Sequence, residues 1–108
     1  MTSRPPGDQL RKLRIRLGIT TRDVENLSQK IAEDQKNPEF QISNPWLTQL
    51  ENSDSVPSIY KLYSLADIYH VKFTDLLLYF GVDLQKVGHH QQLAPLPNTH
   101  LTNLEVYD

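Results

Sequence analysis

The sequence predicts an all-α domain of five short helices. Three observations lead there. Apolar residues recur at helical rather than alternating spacing, Gly and Pro punctuate the chain between the apolar segments, and no Asn-Gly or Asp-Gly hairpin turn occurs.

The first helix is expected over residues 8–17, with Leu10, Leu13 and Leu17 inward and Gly18 ending it. The second starts at Thr20 or Thr21 and runs to about residue 35. Val24, Leu27, Ile31 and Ala32 fall on one of its faces. "KNPEFQ" reads as a loop. The third helix belongs to "ISNPWLTQLEN", residues 42–52, where Ser43-Asn44 followed by Pro45 is a start signal. "SDSVPS" is the next loop. The fourth helix covers residues 58–69, with Ile59, Leu62, Leu65, Ala66 and Tyr69 inward. The fifth is capped by Thr74, buries Leu76, Leu77 and Phe80, and stops at Gly81. The helical domain spans residues 8–83. Residues 84–108 hold two prolines and no helical period, and they read as a C-terminal arm that packs on the domain or on a second copy. A flexible tail fits the same composition.

Composition removes several function classes. A chain of 108 residues makes one small domain with a modest core. With no Cys there is no disulfide framework, no thiol nucleophile and no Cys-based zinc site. No apolar run reaches the roughly 18 residues of a membrane span, and no apolar signal core opens the chain. A cytoplasmic protein without membrane association is expected. His89-His90 is the one eye-catching chemical pair, but no carboxylate follows at ligand spacing. No enzyme, metal or cofactor is expected. Net charge is −2, unevenly spread: residues 1–36 carry eight Lys/Arg against five Asp/Glu, and the remainder carries three against eight. A basic N-terminal third can supply phosphate contacts even in a mildly acidic chain.

The third helix is unusual. At 100° per residue, Ser43, Leu47 and Leu50 share the core side. Asn44, Pro45, Thr48, Gln49 and Asn52 share the opposite side, which has hydrogen-bonding groups and no charge. Amides of Asn and Gln can bond two edge groups of one adenine, and Thr can offer a methyl to thymine. The same set also fits an ordinary polar surface. Trp46 lies beside the Leu50 side and is expected to pack on a neighbouring helix. On the first helix, Arg14 sits at the edge of the apolar stripe. Its guanidinium needs a carboxylate, and Glu51 on the third helix is the best candidate.

These landmarks, from Leu13-Arg14 and Gly18 through Thr21, Val24, Ile42-Ser43, Leu47, "QLEN" and Pro57 to Leu65-Ala66, Val71 and Leu76-Leu77, resemble the helix-turn-helix domain of the Xre family, which includes the phage λ and 434 repressors. The resemblance covers roughly residues 10–77. It implies a five-helix λ repressor-like DNA-binding domain whose third helix reads double-stranded DNA. It matches Asn44, Pro45 and Gln49 to base-reading positions, with Thr48 between them. It matches Thr21 to a phosphate contact, with Arg22 and Asn52 as further phosphate contacts. Arg14 and Glu51 match a structural ion pair. One departure is clear. Nineteen positions separate Val24 from Ser43 where the family has about seven, so about a dozen residues are inserted. A lengthened second helix and a returning loop absorb them, and Trp46 is expected against the added turns, near Ile31 or Phe40.

The resemblance implies a transcriptional regulator, of the repressor kind, acting as a homodimer. Its fifth helix, "TDLLLYFG", has more apolar residues than one face can bury, leaving Leu78 and Tyr79 for a dimer contact. The competing expectation is a protein-interaction or antitoxin-type module of the same fold.

Overall fold

Three of the helices begin where a hydroxyl side chain caps the free amides of the first turn. The computed structural model describes residues 6–88. It places α1 at Pro6–Arg16, α2 at Thr21–Gln35, α3 at Asn44–Glu51, α4 at Ile59–Tyr69 and α5 at Phe73–Tyr79. The described residues contain no strand. Thr20 caps α2, Ser43 caps α3 and Ser58 caps α4, each accepting a backbone N–H three residues on. At α2 the cap is reciprocal, because Thr20 N–H also donates to the Asp23 carboxylate at 2.9 Å. This box holds the Asp23 carboxyl below the usual range, through the Thr20 backbone N–H first and its hydroxyl second. The expected cap of α5 is corrected: the cap position is Lys72, and Thr74 lies inside the helix.

α1 packs on α3 and α5, α2 on α3 and α4, and α4 on α5. The core between them holds Leu10 and Leu13 of α1, Val24 of α2, Ile42, Leu47 and Leu50, then Leu62, Leu65, Ile68 and Tyr69 of α4, and Leu76 of α5. Three residues expected inside lie outside, for separate reasons. Leu17 is 42% exposed because α1 has ended one residue earlier; Ile19 packs against the core beyond the Gly18 turn. Leu27 is 40% exposed because the buried row of α2 follows i, i+4 steps through Val24, Ser28 and Ala32. Ile59 is 64% exposed, standing one turn before the first buried residue of α4, Leu62.

The residues between α2 and α3 form an ordered return. α2 ends in a left-handed C-cap at Lys36 (φ 56°), where the Asn37 N–H bonds the Ala32 carbonyl. The Asn37 side chain then caps a 3₁₀ turn, Pro38–Phe40. Phe40 sets its ring edge-to-face against Tyr60 and Tyr63, centroids 5.2 Å apart in both pairs. A returning strand of backbone must also satisfy its amides and carbonyls. Ser64 donates to the Phe40 carbonyl, Lys61 Nζ donates to the carbonyls of Glu39 and Gln41, and Ser28 bonds both backbone groups of Ile42. The long excursion is therefore pinned to α2 and α4, and Ile42 reaches the core fully buried.

One close approach escapes sequence reasoning. α1 begins at Pro6, earlier than expected, and Gly7 faces the end of α3. A Cβ at Gly7 would collide with the Leu50 carbonyl oxygen and sit 2.8 Å from that of Ser53. Only glycine allows this contact. Among the described residues no helix is long and apolar enough to cross a membrane. The greater part of the expected C-terminal arm, from residue 89 on, lies outside the described residues, as does the His89-His90 pair.

Candidate functional site

The outer side of α3 is built on an anchored inner side. Leu47 is fully buried and Leu50 nearly so. Next to Leu50, Glu51 joins α3 to α1. Arg14 Nε donates to Glu51 Oε2 at 2.6 Å and Arg14 Nη2 to Oε1 at 2.9 Å, a two-bonded pair. Arg14 Nη1 donates to the Ile19 carbonyl at 2.9 Å, which ties the pair to the α1–α2 turn as well. The bond to Glu51 raises the Arg14 pKa further above its already high value, against the opposing effect of burial. A charge pair of this kind orients helices as much as it stabilises them.

Tyr69 lies within the field of the same pair. It is 1% exposed, and its hydroxyl has no hydrogen-bond partner among the described residues. Burial first, and the Glu51 charge second, push its pKa far up. A buried hydroxyl without a partner costs about 1–3 kcal/mol. Tyr69→Phe is therefore expected to be at least as stable as the parent at neutral pH. Because the folded-state pKa is raised, ionisation favours the unfolded chain: stability is unaffected below the unfolded value of about 10 and falls as pH rises from there toward the raised folded-state value. The advantage of the Phe variant should widen above pH about 10. Urea denaturation of both chains across pH 7–11 checks this; parallel curves would contradict it.

The outward side chains differ in what they have left to offer. Gln49 is exposed and its amide has no partner among the described residues; the side-chain amide of Asn44, half-buried, is likewise unpartnered. Thr48 and Asn52 are exposed but partly committed. Thr48 Oγ1 donates to the Asn44 carbonyl at 3.1 Å, and Asn52 Nδ2 donates to the Thr48 carbonyl at 2.8 Å. Pro45 is exposed in the first turn. Trp46 is half-buried against the core, with Lys61 Nζ 5.5 Å from its ring centroid. It lines a cleft with Val56 and Pro57, so it closes the side of α3 facing α4 and the loop between them. The aromatic that holds the loop between α2 and α3 is Phe40.

No protein-family model matches the chain, and neither a curated protein nor a solved structure matches it significantly.

At the start of α2, Thr21 is the first helical residue and half-buried, while Arg22 is exposed. The Asp23 carboxylate already occupies this helix start, so an incoming anion meets a negative charge there. Thr20-x-x-Asp23 is the sequence signal for that box. At the far end, the two residues expected to be left over divide. Leu78 is 52% exposed, whereas Tyr79 is half-buried and packs against the core. The exposed apolar residues continuing from Leu78 are Val82, Leu84 and Val87. Among the described residues, no group of three or more His, Cys, Asp or Glu could hold a metal ion.

Proposed function

We propose that the chain is a sequence-specific regulator of transcription that binds double-stranded DNA, of the repressor kind and λ repressor-like in fold, with α3 in the major groove. The observation that carries this reading is the exposed, uncharged, amide-bearing side of α3, set on an inner side that the core and the Arg14–Glu51 pair hold rigidly. Asn44, Pro45, Thr48 and Gln49 face the bases. Arg22 with Thr21 on one side and Asn52 on the other contact phosphates. Two copies reading half-sites about 34 Å apart complete the site, with Leu78 and the apolar residues after it as the seam.

The test separates base reading from phosphate anchoring. Duplexes selected from a random library are titrated at several salt concentrations. Gln49→Ala should cost about 1–3 kcal/mol on the selected duplex and relax preference at one base pair. Arg22→Ala should weaken all duplexes alike and lower the salt slope by about one unit. If Gln49→Ala loses as much on random DNA as on the selected site, α3 does not read bases.

A second reading is a protein-interaction or antitoxin-type module. It is favoured by Ile59, Tyr60 and Tyr63, exposed apolar side chains at helical spacing along one side of α4, with exposed Val56 in the loop before it. A chain that shows no steep salt dependence with any duplex belongs to this class.

A further inference from the structure

We infer that the reading surface of α3 selects A·T base pairs, and that thymine's methyl group is part of what it recognises. This rests on the proposal that α3 enters the major groove. Four kinds of side chain supply most direct base contacts: Arg or Lys for guanine, Asp or Glu for cytosine, Asn or Gln for adenine, and apolar groups for the thymine methyl. α3, Asn44–Glu51, contains no Lys or Arg. Its one carboxylate, Glu51, is buried and bonded twice to Arg14. Lys61, the cation beside Trp46, is committed to the carbonyls of Glu39 and Gln41. The contacts that favour G·C pairs are thus missing from this surface.

The contacts that favour A·T pairs are present and free. Gln49 is exposed, with an amide that has no partner among the described residues and can donate to and accept from one adenine edge. Thr48 spends its hydroxyl proton on the Asn44 backbone carbonyl, so it has no donor left and offers its methyl and an acceptor oxygen for contact. Pro45 stands one turn from both Thr48 and Gln49 and adds an apolar ring without a donor. An amide flanked by a methyl and a pyrrolidine matches an adenine edge beside a thymine methyl.

The experiment uses the full chain and a random duplex library. An A·T-rich core should be enriched. In the enriched duplex, thymine is then replaced by uracil one position at a time, which removes only the methyl. At one or two positions affinity should fall about fourfold, the worth of one buried methyl. Thr48→Ser keeps the hydroxyl and its bond to the helix while deleting the methyl, and it should remove the response to uracil at one position. An enriched core of G·C pairs overturns the inference while leaving DNA reading intact. An A·T core indifferent to uracil also overturns it. If no duplex is enriched, the proposed function itself falls.

Discussion

Glu51→Ala is expected to destabilise the domain by about 3–5 kcal/mol, the cost of leaving one member of a buried ion pair alone. The Glu51 side chain is 3% exposed and that of Arg14 is 12% exposed, so solvent replaces little of the lost bond. Arg14 keeps its bond to the Ile19 carbonyl, which holds the guanidinium in place rather than letting it swing to water. A loss of this size should lower the melting temperature by more than about 10 °C. Replacing both residues with apolar ones of similar volume should recover much of it, because the uncompensated charge is gone. A double-mutant cycle with Arg14→Ala is the measurement. Simple additivity of the two losses would mean that the pair does not couple α1 to α3.

The expected result bears on function because the pair sits directly behind the outward side of α3. That side could be assigned from the sequence, since helical periodicity alone separates Leu47 and Leu50 from Thr48 and Gln49. Periodicity also finds Leu10, Leu13, Val24, Leu62 and Leu65. It fails where burial depends on a partner distant in the chain. Ser28 is buried in place of Leu27 because the returning loop brings polar backbone to that spot, and no local pattern signals it. Gly7 faces the α3 carbonyls across a contact that only tertiary structure creates. Nor does spacing reveal that Thr48 and Asn52 turn donors back onto their own helix, since rotamers decide that. The Thr20–Asp23 box could have been read, and with it the negative charge at a proposed phosphate contact.

Replacement of Ser28 is expected to produce the other large loss, although this residue touches neither the ion pair nor the outward side of α3. Its hydroxyl accepts the Ile42 N–H at 2.8 Å, and its single proton is shared between the Glu25 and Ile42 carbonyls at 2.9 and 3.2 Å. Ser28 and Ile42 are both fully buried, so water cannot take over. Ser28→Ala leaves the Ile42 N–H without a partner, at about 1–3 kcal/mol. Ser28→Val adds atoms to a closed site, and overpacking costs a further amount of about 1–3 kcal/mol. The Val variant should therefore lose about 2–6 kcal/mol in all. The effect should reach α3, because Ile42 is followed by Ser43, whose hydroxyl caps that helix by accepting the Trp46 N–H at 3.1 Å. Urea denaturation measures the stability change, and hydrogen exchange at the Ile42 amide reports its cause. In the parent chain that amide should exchange only on global unfolding, whereas in both variants it should exchange by local opening. A Ser28→Ala chain of unchanged stability with a still-protected Ile42 amide would show that the loop does not depend on this hydroxyl.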